Sequence, residues 1–271
     1  MGKRLTKMIY LGIKEYRDPY YQGVAAQIAF FFMLSAVPTM LVLSQILGLL
    51  DISLNFIENW VKQNVSVNMA HSVGYLFTAK AKFSSNVLFI IMAVWAASRV
   101  HFSLGRVADY TYSEGQKLNN YFKDRIRALV IMFLTIVVIA LTFVVFVYGE
   151  IVARTLFENF FDIKAIETTV KLLKLPLAGF LYFFVILFNY YILPSERMTF
   201  RKIIPGTLFA AIGMLVVTVV YSMYANYVTS YDILYGSLAS IAALMFWFYF
   251  ISWVLCLGIL VNKVWMQTSE M

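Results

Sequence analysis

Residues 87–107 read VLFIIMAVWAASRVHFSLGRV. The stretch begins as an apolar run that could cross a bilayer, then carries Arg99 and Arg106, seven residues apart. Seven residues make about two helical turns, so both guanidiniums lie on one helix face. A charge inside a membrane helix is costly and calls for a physical reason. Whether these arginines snorkel, pair or bind is the central question the sequence poses.

The rest of the chain shares this apolar character. Of its 271 residues, 62% are hydrophobic, 17% aromatic and only 13% charged, and the mean hydropathy is +0.78. Soluble domains are nearer half apolar and a quarter charged, so an integral membrane protein is expected. No polar stretch is long enough to fold separately, which leaves one integral membrane domain over residues 1–271. Residues 1–23 hold too short and too charged a core for a cleaved signal, so the first apolar run is expected to serve as the signal and remain. The single Cys256 excludes an intramolecular disulfide and reads as a small buried hydrophobe.

A bilayer core takes about 20 apolar residues of helix. Six runs qualify: about 24–50, 85–105, 128–149, 172–193, 203–226 and 236–262. The expected fold is therefore all-α, polytopic, with six transmembrane helices. The runs are too long for the strands of a membrane barrel. Fifteen of the 22 lysines and arginines fall on the side holding both termini, seven on the other, while acidic residues divide seven and seven. The positive-inside rule then puts both ends in the cytoplasm. The sequence pI of about 9.4 follows from topology and attraction to anionic lipid, and no nucleic-acid partner is implied. Amphipathic interfacial helices are expected at 5–20 and 150–171, and 106–126 reads as a further interfacial segment.

Several positions could carry function or shape. Pro38 predicts a kink in the first span, with Ser35 near enough to satisfy a freed carbonyl. Pro205 and Gly206 at the start of the fifth span, and Gly236 before the sixth, are the other candidate hinges. Gln27, Ser44 and Gln45 are polar positions that bond between helices or line a cavity. Tyr221, Tyr224, Tyr227, Tyr231 and Tyr235 surround one short outer connection, as an aromatic belt would. Ser237 opens the last span beside Gly236, and Asp232 is placed to cap it. His101 lies about 200° around the helix from Arg99, and His71 has no visible metal partner. There is no Walker loop, HExxH, GxSxG or close carboxylate pair inside a span, so no enzymatic site, metal or cofactor is expected. NVS at 64–66 matches a glycosylation triplet, a pattern too short to carry weight.

GVAAQIAFFFMLSAVP in the first span, WAASRV in the second, LPSERMTFRKIIPG between the fourth and fifth, and YSMYANYVTSYDILYGSLASIAALMFWFYF into the sixth occur in fixed order. Together they resemble the YihY/BrkB family of bacterial inner-membrane proteins, from about residue 15 to 265. The resemblance implies six membrane helices. Members have carried ribonuclease BN and virulence-factor labels, and some are suspected of handling envelope lipids. No acidic cluster here suits the Mg²⁺ that a nuclease would need. Near the end of the sixth span the family commonly reads G-A-E-x-N, whereas this chain reads GILVN: Gly258 and Asn262 are kept, and Leu260 stands where the glutamate would be.

The sequence thus points to a transporter or flippase of an anionic lipid, such as a phospholipid or polyprenyl phosphate. Arg99 and Arg106 would receive the phosphate, and Gln27, Tyr231, Tyr235 and Ser237 would complete the site. A guanidinium forks onto phosphate oxygens, which is why arginine suits that role. The rival readings are a non-transporting scaffold for envelope enzymes, and a small-solute transporter lined by Gln27, Gln45 and Asn189. Phenylalanine-rich helix faces can meet lipid or a second copy, so a homo-oligomer is compatible with the sequence.

Overall fold

The computed structural model describes residues 2–49, 83–113, 121–157, 163–196, 198–228 and 237–269. Among them are seven helices and no strand: α1 (Gly2–Tyr16), α2 (Pro19–Leu49), α3 (Phe83–Tyr112), α4 (Tyr121–Phe157), α5 (Ile163–Ile192), α6 (Phe200–Val228) and α7 (Ser237–Ser269). Each of α2 to α7 covers all or nearly all of one of the six apolar runs. Two helices satisfy a length and hydropathy test for crossing a membrane: Phe200–Tyr224, with hydropathy 2.4, and Ile241–Ser269, with hydropathy 2.3.

The helices pack as a ring in chain order. α2 packs on α3, α3 on α4, α4 on α5, α5 on α6, α6 on α7, and α7 closes the ring on α2. α7 also touches α3, and α1 is strapped along α7. The buried core is Tyr21 and Ile28 of α2, Val100 and Leu104 of α3, Ile131 of α4, Tyr190 of α5, Ala210 of α6 and Ile259 of α7. These positions gather at the end of the ring that carries the starts of α2, α4 and α6 and the ends of α3, α5 and α7. That end is also the basic one in the sequence.

Local chemistry sets the entry to α2. Asp18 caps the helix, accepting the Tyr20 N–H at 2.9 Å, and Pro19 takes the first helical position, where no N–H is needed. Tyr110 donates to the other Asp18 oxygen at 2.6 Å, Tyr20 stacks on Tyr110 at 4.0 Å, and Tyr21 shares a hydrogen bond with Thr111 at 2.9 Å. These contacts fasten the start of α2 to the end of α3.

The LPSER turn after α5 forms a second fastening. Ser195 Oγ donates to Asp109 Oδ2 and accepts from Arg127 Nη1, each at 2.9 Å, while the Ser195 N–H donates to Asp109 Oδ1 at 2.6 Å. Arg127 also reaches the Leu193 carbonyl at 3.2 Å. Leu193 lies over Gly105, where a Cβ would be only 3.5 Å from the leucine side chain.

The helices extend beyond the expected spans. α3 continues to Tyr112, past the expected end at 105, because its last two turns carry this docking surface. Of the interfacial segment read at 106–126, the start lies on α3 and the end on α4, and residues 114–120 lie outside the described residues. Residues 150–157 and 163–171 likewise belong to α4 and α5. α1 is both amphipathic and packed: Glu15 pairs with Lys263 at 2.7 Å and Tyr16 accepts from Trp253 Nε1 at 2.8 Å, while Ile9, Tyr10 and Ile13 stay exposed.

Candidate functional site

Arg99 sits on α3 between two aromatic rings, with its Cζ 5.3 Å from the Trp95 centroid and 5.5 Å from that of Phe31 on α2. Trp95 is one turn N-terminal, which is where a helical side chain leans. The guanidinium therefore points toward the apolar part of α3, against the snorkelling direction. Arg99 Nε is buried without a hydrogen-bond partner.

Arg106, two turns later, is exposed, and its Cζ lies 5.9 Å from the ring of Phe102. Phe102 is only 6% exposed, because a third arginine covers it. That residue is Arg125 of α4, with Cζ 5.8 Å from the same ring, and Tyr121 packs edge-on against it at 5.3 Å. Arg125 Nη1 is also buried without a partner. Burial pushes the Arg125 guanidinium below its ordinary value, and the charge of Arg99 adds to the effect.

Arg125 of α4 thus comes near Arg99, while Arg106 shares the ring of Phe102 with Arg125. Among the described residues no carboxylate lies within ion-pairing distance of Arg99, Arg106 or Arg125. The first turns of α4 place Tyr121 and Arg125 beside Phe102, and Asp124 and Arg127 near the Ser195 turn. Sequence reasoning missed Arg125 because it counts there only as one of several basic residues flanking a span. Its available signal was the KDRIR string at 123–127, where Arg125 and Arg127 must point to different sides of a helix.

The other expected site residues do not join this group as a set. Gln27 is exposed on α2, one turn before Phe31. Ser237 opens α7, but its side chain lies outside the described residues, as do those of Pro38, Ser44 and Gln45. Tyr231, Tyr235, Gly236, Asp232, His71 and the 64–66 triplet lie outside the described residues altogether. Asn189 is committed elsewhere: it donates to the Val185 carbonyl at 2.7 Å and to Thr135 at 3.4 Å, and His101 shares a bond with the same Thr135 at 3.3 Å. Leu260 is buried, as is Cys256. Among the described residues no three of His, Cys, Asp and Glu gather as a metal site would need.

Pro205 and Gly206 lie at the α6–α7 contact. Gly206 donates its N–H to Asn262 Oδ1 at 2.6 Å. A Cβ on Gly206 would run into the Gly258 carbonyl, and one on Gly258 would meet the Gly206 carbonyl at 2.8 Å. The two positions that the GILVN string shares with its family pattern are therefore packing residues.

An all-helical protein with helices fit to cross a membrane, and with cations at its basic end that no carboxylate pairs among the described residues, is the class defined by fold and site. The family model described as virulence factor BrkB matches residues 13–270, and the chain belongs to this YihY/BrkB family of membrane proteins. A putative ribonuclease-like protein, YfkH of Bacillus subtilis (strain 168), is 22% identical over 247 residues, covering 90% of this chain and 89% of the relative. A UPF0761 membrane protein of Pseudoalteromonas translucida (strain TAC 125) is 36% identical over 68 residues, 25% of this chain and 22% of its own. A second UPF0761 membrane protein, from Chromohalobacter salexigens, is 32% identical over 88 residues, 32% of this chain and 20% of its own. No solved structure matches.

Proposed function

We propose that this chain is a six-span protein of the bacterial cytoplasmic membrane, with both termini in the cytoplasm, that moves an anionic lipid or amphiphile. The basic end of the helix ring is then the cytoplasmic end. The observation that carries the reading is the set of guanidiniums at Arg99, Arg106 and Arg125, each beside an aromatic ring and with no carboxylate in ion-pairing distance among the described residues. Arginine at membrane depth persists where it serves a substrate or a partner. A phosphate group, on a phospholipid or a polyprenyl phosphate, is the anion that arginine's planar fork fits best.

The reading includes no enzymatic step. The ribonuclease-like name belongs to the Bacillus relative, and a nuclease reading would need an acidic cluster for its metal. The solute reading gathers Gln27, Gln45 and Asn189 around one cavity, and it is disfavoured because Gln27 faces outward and Asn189 is already hydrogen-bonded. The scaffold reading draws on the exposed Ile9, Tyr10 and Ile13 face of α1.

The test is movement of labelled phosphatidylglycerol across vesicles containing the purified protein. Wild type should move it, and Arg99→Leu, at equal incorporation and equal thermal unfolding, should not. Full activity in Arg99→Leu removes this residue from the site. If wild type moves no anionic lipid and crosslinking in cells traps one dominant protein, the scaffold reading replaces the transporter.

A further inference from the structure

We propose that Arg99 and Arg125 hold the phosphate of a phospholipid drawn sideways from the cytoplasmic leaflet, with its tails lying along the outer faces of α3 and α4. The site rests on the membrane placement argued above but not on transport, because it would hold a lipid whether or not that lipid is moved.

The first argument is unmet donors. Arg99 Nε and Arg125 Nη1 are buried and have no hydrogen-bond partner among the described residues. Buried donors in proteins nearly always have partners. Arg125 lies against the ring of Phe102, and Phe31 and Trp95 flank Arg99. Rings satisfy the charge in part, but they accept no fork of N–H donors. A phosphodiester carries the charge and the acceptor oxygens to do both.

The second argument is what adjoins the cations. Val87, Ile91 and Trp95 are exposed and lie one turn apart, in line with Arg99. From Val87 to Arg99 this strip runs about 18 Å, close to one leaflet of a hydrocarbon core that is about 30 Å thick. On α4, Ile126, Val130, Phe133 and Val137 are exposed in a similar row that begins beside Arg125. Cations at the foot of two apolar strips match a lipid, charged at one end and greasy along its length. A soluble phosphate would leave the strips unused. Burial is the main reason that the Arg125 guanidinium is held below its ordinary value, and the charge of Arg99 adds to it.

The experiment measures lipid retained by purified full-length protein from bilayer discs of equal parts phosphatidylglycerol and phosphatidylcholine. Wild type should retain phosphatidylglycerol in preference. Arg125→Gln should lower that preference about tenfold, the loss expected for one charged hydrogen-bonding group. Arg125→Lys should recover only part of it, because a point charge lacks the fork. Arg201→Gln, an exposed basic residue on α6, should leave it unchanged. Thermal unfolding of each variant separates lost binding from lost fold.

Equal retention by wild type and Arg125→Gln overturns the site. So does an equal loss in Arg201→Gln, which would indicate general surface attraction. Displacement of the lipid by millimolar inorganic phosphate would mean a soluble-anion site and also overturns the proposal. Retention that depends on Arg125, in a protein that moves no lipid between leaflets, upholds the site and removes the transport reading.

Discussion

Gly206 on α6 and Gly258 on α7 meet backbone to backbone, and Asn262, one turn beyond Gly258, accepts the Gly206 N–H at 2.6 Å. Pro205 precedes this contact and supplies no N–H of its own. The approach is possible because neither glycine has a side chain, and it seats Tyr190, whose hydroxyl donates to the Leu255 carbonyl at 2.6 Å. Gly258→Ala would push a methyl into the Tyr190 hydroxyl, the Gly206 carbonyl and Ala210. Overpacking of this kind costs about 1–3 kcal/mol. A clear fall in the unfolding temperature of the purified variant is the expected outcome, and an unchanged one would show that the two helices can separate without loss.

Asn262→Leu keeps the branching and the number of side-chain heavy atoms but removes the acceptor. The buried Gly206 N–H then loses this acceptor, at about 1–3 kcal/mol. Asn262→Asp should do better than Leu, since it still accepts. Ranking the three proteins by thermal unfolding checks this order.

Ser195 links the α5–α6 turn to both neighbouring helices. Ser195→Ala removes the donor to Asp109 and the acceptor of Arg127. A loss of about 1.5 kcal/mol is expected for hydrogen bonds to charged groups. Burial already pushes the Asp109 carboxyl up, and the Ser195 bonds oppose that push, so the variant's Asp109 should protonate at still higher pH. Titration of the Asp109 carboxyl by isotope-edited infrared spectroscopy, comparing the two proteins, tests the direction.

Acid should loosen the joint between α2 and α3. The Tyr110 hydroxyl, helped by the Tyr20 N–H, holds the Asp18 carboxyl below its ordinary value of 3.8. A lowered folded value means the stabilisation is complete above pH 3.8 and fades as pH falls through that lower value. Tyr110→Phe should remove much of this acid sensitivity. Asp18→Ala should also lose the helix cap, at about 1 kcal/mol. Unfolding midpoints measured from neutral pH down to about pH 3 would show whether the wild-type curve bends more steeply than that of Tyr110→Phe.

Glu15 anchors α1 on α7 through Lys263, which is 7% exposed. Glu15→Gln leaves that ammonium half-compensated, an effect of about 2 kcal/mol, between those of surface and buried pairs. The first 16 residues should then be cut faster by protease while the rest of the chain resists. Cleavage rates at those residues, wild type against variant, measure it.

Composition, run length and charge placement were sufficient for an all-helical membrane protein, and the ordered motifs were sufficient for its family. Those properties are sums over neighbouring residues, so they survive without knowledge of how helices cross. The hydropathy of 87–98 needs no partner to be apolar, and Arg99 needs none to be out of place there. The approach of Arg125 to Arg99 is of another kind. It depends on the start of α4 lying across Phe102, a crossing set by the Asp109–Ser195–Arg127 contacts and by Leu193 over Gly105. The same holds for Gly206 and Gly258, which are 52 residues apart and unremarkable as letters. Hydropathy assigns each helix its environment, but the rotation and crossing of packed helices select which side chains meet, and here they bring Arg125 of α4 near Arg99 of α3.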